Sequence, residues 1–302
     1  MPVYLPIAEM SVDALLLLGI GFGVGWLSGL FGVGGGFLLT PLLILIGIPA
    51  PVAVASGANQ TVGASVSGLI AQWRRGQVDA RMGTVLLLSG LVGSGLGTQL
   101  FVLLRRLGQV DLAVSLFYVV VLGTVGALMV RESVRALLRG RAGLPPRIQD
   151  HTWLHGLPLK MRFRKSRLYI SVIPPALVGF GIGVLSAVMG VGGGFMLVPA
   201  MIYLLGMPTA TTIGTSLFQV VFVTANVTML QALQNGSVDV VLTLLLLAGG
   251  VSGAQFGASM GTRLRGEQTR ALLGALVLAV ALALLVDLVR TPAQPYAVEL
   301  VR

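Results

Sequence analysis

Hydrophobic residues in this chain gather into long runs separated by short polar punctuation. Such runs fall at about 13–31, 52–72, 82–104 and 110–130, and again at about 169–189, 211–233, 238–262 and 270–289. A helix needs about 20 apolar residues to cross a bilayer, so each run predicts one spanning helix. Behind the first member of each set lies a shorter run, 37–48 and 195–206. A helix of that length reaches about 18 Å at 1.5 Å per residue, well short of a hydrocarbon core of roughly 30 Å. These two segments predict half-helices, re-entrant or broken by glycine. The pattern therefore predicts an all-α integral membrane protein with two repeats of about five helical segments each. The first repeat is 1–130, a connector covers 131–168, and the second repeat is 169–302.

The repeats share more than their hydropathy. Gly32-Val33-Gly34-Gly35-Gly36-Phe37 recurs as Gly190-Val191-Gly192-Gly193-Gly194-Phe195, each copy trailed at the same distance by a proline, Pro41 and Pro199. Ser28 matches Ser186, Pro49 matches Pro208, and Gln60 matches Gln219. Gly76-Gln77-Val78-Asp79 matches Gly236-Ser237-Val238-Asp239, and Gly90, Gly93 and Gly97 match Gly250, Gly253 and Gly257. A shared order of landmarks over so long a stretch means duplication. Glycine breaks in corresponding places of two membrane repeats are the sequence mark of a transporter, because substrate and ion sites form where helices unwind.

Composition agrees with the membrane reading. The chain is 55% hydrophobic and 10% charged, against roughly 25% charged in soluble domains, and its mean hydropathy is +0.94. It contains no cysteine, which excludes disulfides, thiol nucleophiles and zinc–thiolate sites. His151 and His155 stand one helical turn apart in a basic connector without further ligand candidates, the setting of a solvated loop rather than a metal site. Met1 to Asp13 carries no basic residue, so the first run reads as a retained helix rather than a signal peptide.

The net charge of +10 does not imply nucleic acid, because it is gathered at helix ends. Ten of the 20 basic residues lie between Arg131 and Arg167, and others cluster as Arg74, Arg75, Arg81 and as Arg263, Arg265, Arg270. With an odd number of crossings per half and the connector cytoplasmic, all of these fall inside. Only Arg105, Arg106, Arg290 and Arg302 then lie outside, as the positive-inside rule requires. An odd count also makes the repeats inverted in topology. In the connector, Trp153, Leu154, Leu157, Leu159, Met161 and Phe163 interleave with Lys160, Arg162, Arg164 and Lys165. This predicts an interfacial segment attracted to anionic lipid, or a solvated linker.

Candidate chemistry centres on the breaks. Unwound backbone at membrane depth must be buried in protein or line a polar cavity. Each half-helix begins behind its glycines, so its unpaired N–H groups and positive dipole end face the break, an arrangement suited to an anion. The candidate contacts are Gly34, Gly35 and Gly36 with Gly192, Gly193 and Gly194. The alternative role of these glycines is close helix packing. The following helices add Ser56, Asn59 and Gln60 in one half and Thr215, Ser216 and Gln219 in the other, spaced for one helical face. Apart from Arg270 at the very start of the last run, no lysine or arginine stands within the runs, so dipoles and neutral side chains would hold the anion. Asp13, Asp79, Asp111, Asp239 and Asp287 lie near helix ends and read as interfacial charges. An intramembrane enzyme is disfavoured, since the runs hold no histidine, cysteine or paired mid-membrane carboxylates.

The duplicated Gly-Val-Gly-Gly-Gly-Phe with its following proline resembles the sulfite exporter TauE/SafE family of membrane transporters, over about residues 13–290. The resemblance implies a permease for sulfite or an organosulfonate, moving its substrate outward across a bacterial inner membrane, and the inverted halves predict that it works by alternating access. The other readings are a transporter or channel for another small organic anion, or an assembly factor without transport. No cofactor is called for, and the implied partners are a small anionic substrate and membrane lipid.

Overall fold

The computed structural model describes residues 2–31, 36–141, 158–166, 168–261 and 266–289. The same series of elements occurs twice along the chain. In the first half a hairpin, β1 (Pro2–Leu5) and β2 (Met10–Asp13), is followed by α1 (Ala14–Phe31), α2 (Gly36–Leu45), α3 (Ala50–Arg74), α4 (Ala80–Arg106) and α5 (Val110–Arg141). In the second, β3 (Lys160–Phe163) and β4 (Leu168–Ser171) are followed by α6 (Ile173–Met189), α7 (Gly194–Tyr203), α8 (Thr209–Asn235), α9 (Val240–Gly261) and α10 (Gly266–Val289). Among the described residues the protein is an all-α membrane protein apart from two antiparallel hairpins, which pair Pro2 with Asp13 and Lys160 with Ser171 at their open ends.

Among the described residues five stretches are long and apolar enough to span a membrane: Ala80–Arg106, Val110–Arg131, Thr211–Asn235, Val240–Gly257 and Leu272–Val289. Helix α3 matches them in length, but its buried face carries Ser56, Gln60, Thr61 and Ser65. The half-helices α2 and α7 are ten residues each. Pro41 and Pro199 lie inside them, where each removes one backbone donor from the helical ladder.

Two features depart from the hydropathy reading. Helix α5 runs on to Arg141, past the apolar run that ends near 130. Residues 168–171 are a strand, so α6 starts at Ile173 rather than near 169, with Pro174 and Pro175 in its first turn. Within the expected interfacial segment, Lys160–Phe163 is a strand that buries Phe163 against Met82, Leu86, Leu197 and Met201. Trp153, Leu154, Leu157, His151 and His155 lie outside the described residues.

The halves are interleaved rather than side by side. Helix α1 lies along α9, with Leu18, Phe22 and Trp26 at Gly249, Gly253 and Gly257 in turn. Positions rise together on both helices, so the pair is parallel. Helices α4 and α6 repeat the arrangement, Leu86 meeting Gly179, Gly90 meeting Gly183 and Gly97 meeting Val184. The backbones are nearly in touch: a Cβ on Gly25 would sit 2.1 Å from the Gly250 carbonyl oxygen, and one on Gly183 would sit 2.2 Å from that of Gly90. Small residues permit such an approach, and van der Waals packing drives helix association in lipid. Helices α5 and α10 cross differently, Gly126 facing Leu278 while Gly274 faces Met129 and Val130, so they run antiparallel.

Asp79 and Asp239 join the halves at the hairpins. Each is buried and caps its own helix, Asp79 Oδ1 accepting from the Met82 amide at 3.3 Å and Asp239 Oδ1 from the Leu242 amide at 3.0 Å. The second oxygen reaches the hairpin turn of the opposite half. Asp79 Oδ2 accepts from Ser166 N at 2.9 Å and Ser166 Oγ at 2.7 Å, and Asp239 Oδ2 accepts from Ile7 N at 3.0 Å. Both residues thus serve as buried structural anchors rather than as interfacial charges. An aspartate directly before a helical run is the usual N-cap signal, and the matched Val-Asp landmarks carried it.

Candidate functional site

Gly36, the described glycine of the first motif, meets the second motif in the interior. Gly36, the first residue of α2, is placed so that a Cβ would lie 2.2 Å from Thr61 Oγ1 and 2.8 Å from the Val191 carbonyl oxygen of the second motif. The next residues along, Phe37 and Phe195, are buried with their rings stacked at 5.3 Å between centroids. The amino ends of α2 and α7 therefore abut. Gly34 and Gly35 lie outside the described residues.

The second motif shows why its glycines are needed. Gly190, Gly192 and Gly193 have φ near +70°, a left-handed conformation that a side chain strains. Gly190 closes α6, its amide donating to Ser186 O at 2.8 Å. Space is as restrictive as conformation. A Cβ on Gly193 would meet Ile182 Cγ2 at 2.1 Å, and one on Gly192 would meet the methyls of Thr224 and Thr61 at 2.6 and 2.8 Å. Packing and turn geometry account for these glycines in this conformation. Gly194 is the first residue of α7.

Two further carbonyls at the end of α6, where helical partners run out, are met from neighbouring helices. Tyr118 on α5 donates its hydroxyl to Met189 O at 2.5 Å, and Gln231 Nε2 on α8 donates to Ala187 O at 3.3 Å. Neither residue stands out in the sequence. Tyr118 is an isolated polar group in an apolar run, Gln231 is one of several polar residues at the end of α8, and the carbonyl each one meets is far away in the chain.

The polar stripes of α3 and α8 separate into two kinds of residue. Thr215 is buried and accepts a hydrogen bond from the Asp79 amide at 3.0 Å, so it links α8 to the start of α4. Ser216 is buried and donates back to Ile213 O at 2.9 Å. Asn59 is half-buried. Thr61 and Thr224, which the sequence reading passed over, flank Gly192 and donate their hydroxyls to Gly57 O and Val220 O at 2.8 and 2.6 Å.

Gln60 and Gln219 behave otherwise. They are 1% and 0% exposed, and neither the oxygen nor the nitrogen of either amide has a hydrogen-bond partner. Ser56 Oγ and Ser186 Oγ are buried and unpartnered as well. The glutamines occupy matching places. Gln60 on α3 lies against Gly250 of α9, and Gln219 on α8 lies against Gly90 of α4, each so close that a Cβ on that glycine would come within 2.1 and 2.7 Å of Nε2. Their chain neighbours Thr61 and Val220 meet at Gly192. An unmet buried amide costs about 1–3 kcal/mol per group, and native interiors leave few such groups. Gln60 and Gln219 are thus matched buried amides without a protein partner, each packed against a glycine of a facing helix.

The duplicated five-helix series, apolar spanning helices and paired half-helices meeting in the interior define a multi-pass integral membrane protein with the build of a transporter. Comparison with known proteins agrees. The family profile described as "Sulfite exporter TauE/SafE" matches residues 17–284. The chain belongs to the sulfite exporter TauE/SafE family, and it is a membrane transporter rather than an enzyme. A "Probable membrane transporter protein" of Xylella fastidiosa (strain 9a5c) is 31% identical over 278 residues, 90% of this chain and 95% of that protein. "Probable membrane transporter protein YjnA" of Bacillus subtilis (strain 168) is 25% identical over 279 residues, 91% of this chain and 100% of that protein. No solved structure matches the chain.

Proposed function

We propose that this transporter carries sulfite or an organosulfonate outward across a bacterial inner membrane by alternating access, holding the anion where α2 and α7 meet. The observation that carries this reading is the abutment of the two half-helix amino ends, Gly36 beside Val191, with the buried, unpartnered amides of Gln60 and Gln219 on α3 and α8, the helices packed against α2 and α7. Each helix amino end contributes roughly half a positive charge. Two together suit a monoanion, or a dianion that travels with a proton. The family assignment points to the sulfur oxoanion.

Inverted repeats provide the two conformations that alternating access needs. The antiparallel crossing of α5 and α10, fifth helices of their halves, supports that inverted relation. Gly126-Ala127-Leu128 and Gly274-Ala275-Leu276 put the same tripeptide at both sides of this crossing. The basic loops after α3 and between α5 and the second hairpin support a cytoplasmic placement for both.

The test is flux into liposomes holding the purified protein. Uptake of a permanently monoanionic sulfonate should be saturable and nearly flat across moderate pH, whereas uptake supplied as sulfite should rise as pH falls toward the protonated form. Absence of saturable flux for both anions refutes the substrate assignment. Sulfite flux that rises with pH, in parallel with the dianion, refutes the charge argument.

A further inference from the structure

We infer that the second hairpin, β3–β4, is a docking surface for the headgroups of anionic phospholipids. The inference rests on the membrane embedding of the chain and is independent of the substrate proposed above. Its ground is a group of exposed cations without counter-ions, held at the rim of a spanning helix. Lys160, Arg162, Arg164 and Lys165 are all exposed. Among the described residues none of their side chains makes an ion pair or a hydrogen bond.

The hairpin is held in place by its other face. Residues paired across antiparallel strands share a face, and the faces alternate along each strand. Phe163 and Ile170 are buried on one face, with Phe163 against Met82 and Leu86 of α4. Arg162 pairs with the exposed Tyr169 on the opposite face, which Lys160 shares. In the turn, Ser166 bonds Asp79, one residue ahead of the spanning stretch Ala80–Arg106. Arg164 and Lys165 therefore stand at the level where that stretch leaves the membrane. Arg74, Arg75 and Arg81 adjoin Asp79 in sequence and are exposed as well. Asp79 is the one acidic residue in 74–86 and 158–171, and its buried carboxylate is taken up by Met82 and Ser166.

The first hairpin shows that anchoring does not require this charge. β1–β2 delivers the Ile7 amide to Asp239 in the same way, yet Pro2–Asp13 contains Glu9 and Asp13 and no lysine or arginine. The cations of β3–β4 are therefore surplus to the fold. Their apolar neighbours favour lipid over a free anion or an acidic protein surface. Leu159, Met161 and Tyr169 are exposed between the cations, and such a mixture suits the headgroup boundary, where stems and rings meet acyl chains while charged heads meet phosphate. An anionic membrane surface strengthens attachment about 5-fold for each lysine or arginine near it.

The experiment titrates the purified full-length transporter, in a non-ionic detergent, with phosphatidylglycerol or with phosphatidylcholine of the same acyl chains, and follows the thermal midpoint. Phosphatidylglycerol should stabilise wild type at a concentration about 25-fold lower, the effect of two cations at about 5-fold each. The double variant Arg164→Gln with Lys165→Gln should lose most of that preference. Arg164→Lys, which keeps the charge, should retain it, and so should Arg106→Gln at the far end of α4. The double variant should match the wild-type midpoint without lipid; if it does not, Lys160→Gln with Arg162→Gln takes its place. Inorganic phosphate should leave the midpoint unchanged. Equal stabilisation of wild type by the two lipids overturns the inference. A preference that survives undiminished in the glutamine variant overturns it too, and leaves the cations only the task of orienting the chain. A shift by inorganic phosphate as large as that by phosphatidylglycerol overturns the choice of lipid as occupant.

Discussion

Replacing Asp79 with alanine should destabilise the transporter more than any other single change at the hairpin contacts. Asp79 caps α4 through the Met82 amide and accepts two further bonds from Ser166 of the opposite half, at 2.9 and 2.7 Å. Loss of an N-cap costs about 1 kcal/mol, and a hydrogen bond to a charged group is worth about 1.5–3 kcal/mol. Taken additively, Asp79→Ala costs about 4–7 kcal/mol. Asp239 caps α9 but accepts only the Ile7 amide from the opposite turn, so Asp239→Ala costs about 2.5–4 kcal/mol. Ser166→Ala removes the hydroxyl bond alone, about 1.5–3 kcal/mol. Unfolding in mixed micelles, followed by the fluorescence of Trp26 and Trp73, measures all three. The expected order of loss is Asp79→Ala, then Asp239→Ala, then Ser166→Ala. An Asp79→Ala protein within about 1 kcal/mol of wild type, or one more stable than Asp239→Ala, refutes the account of the hairpins as anchors.

Other tests address the seams, the break and the topology. Gly25→Ala and Gly183→Ala should lower the yield of monodisperse protein by size-exclusion chromatography, since their Cβ atoms would meet backbone oxygen at 2.1 and 2.2 Å; Gly23→Ala and Gly181→Ala, with nothing within 4 Å, should elute as wild type. Tyr118→Phe removes the bond to Met189 O and should slow sulfonate flux about 5- to 10-fold, consistent with one lost hydrogen bond of about 1 kcal/mol, while leaving the elution profile intact; unchanged flux would show that this bond does not hold the break in working geometry. Single cysteines report sidedness in this cysteine-free chain. Gly76 and Gly236 have positive φ, so the exposed neighbours Arg75 and Gln234 are the better sites. A membrane-impermeant maleimide applied to intact cells should label Gln234→Cys and not Arg75→Cys, and the opposite result would reverse the proposed orientation.

Much of the helical plan could be read from hydropathy, because in a bilayer apolar length and helix length are the same constraint. Segment 37–48 became α2 (Gly36–Leu45), and segment 195–206 became α7 (Gly194–Tyr203). The hairpins were harder to see. Lys160-Met161-Arg162-Phe163 alternates with a period of two, a strand signal, but it stood inside a basic stretch that also suits an interfacial segment. Leu168-Tyr169-Ile170 merges with the apolar run of α6, so hydropathy has no edge to mark at Ser171. At the site, Gln60 and Gln219 were visible as a matched pair, whereas Thr215 proved to be a link to Asp79. Sequence spacing puts residues on a common face, but it does not show which neighbour that face has. The glycines of the second break illustrate the same limit. Valine at Gly193 would not separate substrate contact from packing, because Ile182 already occupies the space.

The reciprocal anchoring of the hairpins bears on how such a chain arises. Each half supplies the turn that the other half's aspartate requires, Ile7 for Asp239 and Ser166 for Asp79. A contact made in both directions is isologous, the kind that closes a two-fold dimer. Two copies of a half-length chain would meet every such requirement by lending each other a hairpin, so the arrangement is satisfied before any fusion. Joining the copies frees each half from having to be its own partner. Ser166 contributes an extra hydroxyl where the first hairpin has only the Ile7 amide. In the register set by the shared Gly-Ala-Leu, Tyr118 stands where the second half has Gly266. The fused chain can therefore refine one break without altering the other, a freedom that two identical subunits would lack.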